Sequence, residues 1–379
     1  MLLLIAWVSE NFMISFRLFF KKVVSKLHLK IKIFVCLSKH KYISINEENY
    51  VNAKKYLNEI SKDPNTSSIT HNNISHEVDL HIIVPAYNVE KYICQCIDSI
   101  ANPSKNISYH LTVINDGSTD NTGKLLERYA DISQIDIITQ SNKGFSGARN
   151  SGLKNIKGRY ICFVDSDDWT NWSELEKMVK EADKKGADLV QGGFYITDEL
   201  GNLKKEIKST KGHFTGFPWG KIYKSELFES TCFPEKYWFE DSVIKQIIFE
   251  KVKYPIVFSE AVYYYRQRKS SITRTSRMSV KSIDSLYVTL SLHKDRKELG
   301  FDNTQEYYDY ILYMFYLTYG RTAAQNNKVM LSIFTVFAYF IKKEFPDYNT
   351  YNKQYKLLEK FIKDGDFGKC KALCQWTCL

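Results

Sequence analysis

The chain is poor in the residues that mark fibrous, low-complexity and disulfide-stapled proteins. It holds 7 Pro and 17 Gly in 379 residues, which excludes collagenous and low-complexity classes, and its 44% hydrophobic content excludes wholesale disorder. Its 8 Cys are too sparse over this length for a disulfide framework, so a reducing compartment is expected. No uncharged apolar run reaches the roughly 18 residues of a spanning helix. The longest, Val329 to Ile341, ends after 13 residues between Lys328 and Lys342 and reads as a core helix. Met1 to Val8 is apolar, but no basic region precedes it and no small-residue cleavage site follows before Glu10, so no cleaved signal peptide is expected. Cys370, Cys374 and Cys378 recur every four residues. With no fourth ligand nearby they read as a small apolar helix face in preference to a zinc site.

Acidic residues are also in short supply, and the shortage is uneven. The formal net charge of +10 divides into +7 over residues 1–41, −3 over 42–79, −2 over 80–175 and +8 over 176–379. Taken whole, such a charge suggests a nucleic-acid partner. Taken by segment it does not, because no recognition fold and no interleaved stacking residues accompany the basic stretches. Phe12 to Leu37 mixes Phe, Leu, Ile and Val with Arg17, Lys21, Lys22, Lys26, Lys30 and Lys32. That composition suits a basic amphipathic segment lying on an anionic membrane surface, or one docked on the protein's own second domain.

The length suggests two domains plus appendages. Asp63 to His76, rich in Asn, Ser, Thr and His, reads as a linker. From Leu80 short apolar runs alternate with helix-length amphipathic stretches, the sequence form of a parallel sheet with crossover helices. Strands are expected at 80–84, 111–114, 135–139, 160–164 and 188–191, with helices near 89–101, 121–129, 145–155 and 173–185. Thr119, Asp120 and Asn121 offer caps for the second helix, and Ser173 with Glu176 a capping box for the fourth. The expected fold class is α/β: an open, mainly parallel, Rossmann-like sheet with flanking helices. It carries a basic N-terminal extension over 1–79 and an α-helical C-terminal subdomain over 279–379. Within the central 80–278, residues 80–193 form one half and 194–278 the other. In such a sheet ligands bind at the carboxyl ends of the strands.

The unusual residues gather at those ends. Strand one runs into Pro85, Ala86, Tyr87 and Asn88, strand two into Asn115, Asp116, Gly117 and Ser118, and strand four into Asp165, Ser166, Asp167 and Asp168. Three carboxylates in four residues repel one another unless a cation or donors compensate them, and oxygen-only ligands select a hard ion such as Mg²⁺ or Mn²⁺. Helix capping accounts for one of these acids but not for three.

Four ordered segments resemble the motifs of the inverting family-two nucleotide-sugar glycosyltransferases of the GT-A fold, of the bacterial surface-polysaccharide type. They are Val84 to Asn88 with Glu90; Asn115 to Asp120; Asn142 to Gly144 with Gly147 to Gly152; and Phe163 to Asp168. The resemblance covers Leu80 to about Gly193 strongly and continues to about Thr273 with weaker marks. It implies that Pro85, Tyr87, Asn88 and Glu90 line the nucleotide pocket and that Asp116 hydrogen-bonds the base, usually uracil. Lys143, Gly144 and Arg149 would then border the nucleotide and its diphosphate. Asp165, Ser166 and Asp167 correspond to the family's Asp-x-Asp element, with Asp165 toward the ribose and the metal's water shell and Asp167 a direct ligand of Mn²⁺ or Mg²⁺. Asn115 stands where many members carry Asp, which leaves Asp116 as the only acid before the glycine.

Further along, Phe217 to Tyr223 and Tyr237 to Ser242 resemble the acceptor-side segments, which implies acceptor contacts at Trp219, Lys221 and Trp238. An inverting transfer needs a carboxylate to take the acceptor hydroxyl's proton, and the resemblance makes Asp241 that base, with Glu240 as neighbour or substitute. Arg266, Arg268, Lys269, Arg274 and Arg277 supply cations suited to a diphosphate leaving group. At least one of Arg266 and Arg268 is expected to face the site.

The reading is thus a metal-dependent glycosyltransferase. Its partners are a nucleoside-diphosphate sugar, UDP-linked by expectation, a glycan or lipid-linked acceptor, and an anionic membrane surface touched peripherally. It would work in the cytoplasm at the inner face of the membrane. A sugar nucleotidyltransferase would need a Gly-rich phosphate loop after strand one, which Pro85 to Asn88 is not. A processive synthase would add spanning helices and a Gln-x-x-Arg-Trp motif, both missing here. The non-enzymatic alternative is a membrane-docked glycan-binding scaffold with a degenerate site.

Overall fold

The computed structural model describes residues 38–101, 106–268 and 278–377. The basic segment Phe12 to Leu37 and the cations Lys269, Arg274 and Arg277 lie outside the described residues.

In chain order the elements used below are α1 (Glu47–Ile60), β1 (Asn73–Ala86), α2 (Ile93–Asp98), β2 (Tyr109–Asp116), α3 (Thr122–Leu126), β3 (Ile135–Gln140), α4 (Gly144–Leu153), β4 (Asn155–Phe163), β5 (Trp169–Thr170), α5 (Trp172–Lys185), β6 (Leu189–Thr197), β7 (Leu203–Ile207), β8 (Lys221–Lys224), β9 (Pro255–Arg266), α6 (Asp284–Glu298), α7 (Gln305–Arg321), α8 (Asn327–Glu344), α9 (Lys356–Lys363) and α10 (Phe367–Thr377). They divide into two compact units, one over 63–302 and one formed by the chain before and after it. These boundaries differ from those expected at 79/80 and 278/279. Residues 73–79 already belong to β1, and α6 lies in the same unit as the sheet.

The sheet runs in the order β3-β2-β1-β4-β8-β6-β9-β5, with β7 on β6. β3, β2, β1 and β4 are parallel neighbours. From β4 onward the sheet turns mixed: β8 is antiparallel to β4 and β6, β9 is parallel to β6, and β5 and β7 are antiparallel. The expectation of a mainly parallel sheet therefore describes the first four strands, whereas the whole sheet is mixed. The parallel strands are read from sequence because burial on both faces makes them near-continuous apolar runs. Leu80 to Ala86 is buried at every position, and so is all of β2. On one face of the sheet Val84, Val113, Val164, Ile93 and Met178 meet in a single core. Gly152 lets α4 close on β1, since a Cβ there would stand 2.5 Å from the Ile83 side chain. The cap of α5 differs from expectation. Asn171 accepts from the Glu174 N–H, so the helix begins two residues earlier than a Ser173 cap would start it.

In the other unit, α8 contains the apolar run Val329 to Ile341, opened by the Asn326 side chain, which accepts from the Lys328 and Val329 N–H groups. Tyr50 of α1 stacks on Tyr339 at 4.6 Å, and the Lys328 ammonium sits 3.9 Å from the Tyr56 ring. Cys370 and Cys374 are buried on α10, and Cys378 lies outside the described residues. Among the described residues no helix is long and apolar enough to cross a membrane.

Candidate functional site

The loops after β1 and β2 are stitched together. Asn88 takes a left-handed φ of 51°, and its Oδ1 accepts from the Thr119 N–H at 2.8 Å while its own N–H donates to Ser118 Oγ at 3.1 Å. Glu90 accepts from both the backbone and the side-chain amide of Asn121, at 3.0 and 2.8 Å. Tyr87 projects beside this junction, exposed, and Pro85 is buried within β1. Asp116 is buried and accepts three bonds, from Gln140 Nε2 at 2.7 Å, the Lys143 N–H at 2.9 Å and the Gly144 N–H at 2.8 Å. Its carboxylate thus fixes the turn that carries Lys143 and Gly144, both exposed. Gly117 must be glycine: its φ is 72°, and a Cβ would lie 2.8 Å from the Asn142 backbone N.

The acidic run after β4 is compensated acid by acid, by residues distant in sequence. Asp165 pairs with Arg149 at 2.8 Å and Asp167 with Arg268 at 2.6 Å. Asp168 is buried and accepts from the Tyr263 hydroxyl at 2.8 Å and the Arg266 N–H at 2.7 Å. Tyr263 Oη also accepts the Asp165 N–H at 3.1 Å. Burial pushes the Asp168 carboxyl well above the usual range, and the neighbouring Asp167 and Asp165 add to it. Asp167 is raised by burial too, with Arg268 opposing and Asp165 reinforcing. Arg266 is buried, donates to the Asp167 and Glu199 carbonyls at 2.8 Å each, and packs between Tyr92 and Trp169. Of the two candidate arginines, Arg266 braces the loop from behind and Arg268 meets the Asp167 carboxylate.

Arg149 links this cluster to the other half. Its second nitrogen pairs with Glu240 at 2.7 Å, its guanidinium lies 5.2 Å from the Phe233 ring, and its side chain is 5% exposed. Burial works against its charge, but Asp165 and Glu240 outweigh that and hold it protonated beyond the ordinary arginine range. Glu240 is raised by burial, with Arg149 opposing and Asp241 reinforcing. The expected acceptor residues spread out. Trp219 stacks within an aromatic ladder, on Phe217 at 4.8 Å and Tyr263 at 4.6 Å. Lys221 is buried and donates to Thr215 Oγ1 and the Phe217 carbonyl at 2.7 Å each. Both line a cavity of about 130 Å³ with Phe194, Ile207 and His213. Trp238 is held instead through its backbone, whose N–H donates to Asp284.

Asp165 and Asp167 are hard oxygen donors of the kind Mn²⁺ or Mg²⁺ takes. Among the described residues no cluster of three or more His, Cys, Asp or Glu completes a protein-only cage. Two carboxylates fit a divalent ion only as part of its shell, and the remaining positions would fall to phosphate oxygens and water, as is usual for Mg²⁺. Sequence reasoning missed Tyr263, Phe233 and Asp284. Tyr263 sits in an aromatic stretch of β9 that reads as core, and nothing local marks it as the partner of two acids.

The arginine-buffered acidic run thus lies at the carboxyl ends of the parallel strands, where open α/β sheets bind their ligands. The fold is that of GT-A enzymes: a solved structure of S. aureus TarS 1-349 in complex with UDP-GlcNAc superposes with a TM-score of 0.63 over 78% of this chain and 90% of that one, at 20% identity. The profile of Glycosyl transferase family 2 matches residues 81–239. An uncharacterized glycosyltransferase of Haemophilus influenzae is 30% identical over 250 residues, 62% of this chain and 95% of that protein. The chain belongs to glycosyl transferase family 2. Glycosyltransferase GlyA of Streptococcus pneumoniae is 34% identical over 218 residues, which are 51% of this chain and 31% of GlyA's length.

Proposed function

We propose that the protein moves a sugar, with inversion, from a nucleoside-diphosphate donor to a hydroxyl of a glycan or lipid-linked acceptor in surface-polysaccharide synthesis. UDP is the nucleotide we favour, since the similar TarS fold has been solved with UDP-GlcNAc. The observation that carries this reading is the Arg149 bridge. One buried cation joins Asp165, at the pole where a diphosphate would sit, to Glu240, the neighbour of Asp241.

Tyr87, the 88–90 loop and the turn at Lys143 and Gly144 form the rim that takes the nucleotide. Asp165 and Asp167 would hold Mn²⁺ or Mg²⁺, which supplies positive charge against the departing diphosphate. Arg268, beside Asp167, adds a second positive group. Asp241, half-buried at the start of the following helical turn, stands where the family resemblance puts the base and is the group we assign to take the acceptor's proton, with Glu240 beside it paired to Arg149. An α-linked donor would give a β-linked product. The reading also places the enzyme in the cytoplasm, with its N-terminal extension against anionic lipid; the +7 charge over residues 1–41 supports that placement.

The test is UDP release from a panel of UDP-sugars with and without Mn²⁺. Wild type should turn over at least one donor, Asp167→Ala should lose the metal response, and Asp241→Asn should fall by about 10²- to 10⁴-fold while still binding UDP. Absence of turnover together with absence of UDP-dependent thermal stabilisation would refute it.

A further inference from the structure

Glu240 and Asp241 stand at the end of a loop whose backbone is held in an unfavourable form. Lys236 and Phe239, neither of them glycine, take left-handed φ values of 69° and 67°. Such residues persist only where the surroundings overdetermine them.

The surroundings here are the N-terminal end of α6 and the short helical turn before it, Val280–Ile283. Asp284 is fully buried, at 0% exposure, and its Oδ2 accepts the Trp238 N–H at 2.8 Å. Lys281, one turn earlier, donates to the Lys236 carbonyl at 2.7 Å and pairs with the same Asp284 oxygen at 2.8 Å. Between them the Tyr237 hydroxyl donates to Asp63 Oδ1 at 2.9 Å. Three consecutive residues are thus pinned by side chains from outside the loop. Beyond them the carbonyls of Phe239, Glu240 and Asp241 accept from the N–H groups of Ser242, Val243 and Ile244, so the carboxylate pair leads straight into a helical turn. Lys281 and Asp284 both lie past residue 239, where the family profile ends.

We propose that Asp284, assisted by Lys281, is a positioning residue that fixes Glu240 and Asp241 against the donor pole by clamping the left-handed 236–239 loop. The inference rests on the reading of Asp241 as the base. A residue that merely stabilised the fold would lower thermal stability and leave the turnover of folded enzyme alone. A positioning residue lowers kcat at unchanged donor affinity, because misplacement by about 1 Å costs on the order of 10²-fold.

The experiment compares wild type, Asp284→Ala, Asp284→Asn and Lys281→Met. It measures kcat and KM with the UDP-sugar that wild type turns over best, and the Kd of UDP by calorimetry. Asp284→Ala should lose about 10- to 100-fold in kcat with the UDP Kd within about twofold. Asp284→Asn keeps an oxygen for the Trp238 N–H and should recover to within about threefold of wild type. Lys281→Met should fall between them, and it carries the test if Asp284→Ala does not fold. Unchanged kcat in Asp284→Ala or Lys281→Met overturns the inference, as does an Asp284→Asn no better than alanine, or parallel loss of UDP affinity and turnover. If wild type turns over no UDP-sugar, the functional reading itself falls; if wild type is active and Asp241→Asn is not, only the clamp is in question.

Discussion

The two poles of the parallel strands are both polar, and they use charge differently. Toward the amino ends, His81, His110, Asp136 and Lys157 form one group. His81 Nε2 meets Thr112 Oγ1 at 2.8 Å, while Asp136 pairs with His110 at 2.9 Å and with Lys157 at 2.8 Å. All these residues come from β1, β2, β3 and β4, so strand pairing alone assembles them. At the carboxyl ends the acids come from one four-residue run, and their partners Arg149, Tyr263, Arg266 and Arg268 come from α4, β9 and the chain just after it. The amino pole is balanced by its neighbours. The carboxyl pole concentrates charge that the fold must import cations to tolerate, and a protein bears such a concentration where a ligand uses it.

Removing the imported cation should break the contrast most severely. Arg149→Met removes the shared cation from Glu240, 12% exposed, and Asp165, 28% exposed, a change that approaches the roughly 3–5 kcal/mol of breaking a fully buried pair. Urea denaturation should show that loss, with donor turnover lost alongside. Arg149→Lys should recover part of the stability but less of the activity, because an ammonium cannot span both carboxylates with two separate nitrogens.

The amino pole should respond to pH and leave the chemistry untouched. Burial lowers the His81 pKa to about 3, with His110 and Lys157 adding to the effect and Asp136 opposing it. The neutral ring is the folded form, accepting the Lys157 N–H at Nδ1 and donating from Nε2 to Thr112. Its stabilisation is therefore complete above the unfolded value near 6.5 and is lost as pH falls from there toward 3. The slope is about 1.4 kcal/mol per pH unit. His81→Asn, which retains polar partners but cannot titrate, should flatten that slope, so that wild type loses roughly 2 kcal/mol more than the variant between pH 6.5 and 4.5. Denaturation midpoints across this range measure it. Turnover at pH 7.5 should stay at the wild-type level.

The same contrast explains what could be read from sequence. β1 to β4 were legible because double-sided burial writes them as apolar runs, and the strand-end motifs because they are contiguous. β5 has two residues and β8 four, while β7 is almost wholly exposed, so none carries a periodic signal. β9 carries no single pattern, since residues 255–260 are half-buried or exposed and burial begins only at Ala261. The roles of Asp116 and Asn88 as loop fasteners, and of Arg149 as a bridge, depend on which chain segments meet. Spacing along the sequence does not encode that. Asp284 was further obscured because it opens a helix that reads as part of a separate helical region.

Tyr263 gives the finest probe of the boundary between fold and site, because its ring belongs to one and its hydroxyl to the other. The ring is buried against Trp219 at 4.6 Å, within the aromatic ladder. The hydroxyl donates to Asp168 and accepts from the Asp165 N–H. Tyr263→Phe preserves the packing and deletes both bonds, leaving a buried carboxyl one donor short, a loss of about 1–3 kcal/mol. If the hydroxyl serves only the fold, thermal stability should drop by that amount with UDP affinity unchanged. If it also holds the acidic run in place for a ligand, UDP affinity in the presence of Mn²⁺ should weaken by a few fold while affinity without metal stays constant. The second outcome is expected, because the bond to the Asp165 N–H fixes the backbone between β4 and the two carboxylates Asp165 and Asp167. Calorimetric titration of UDP with and without Mn²⁺ separates the two.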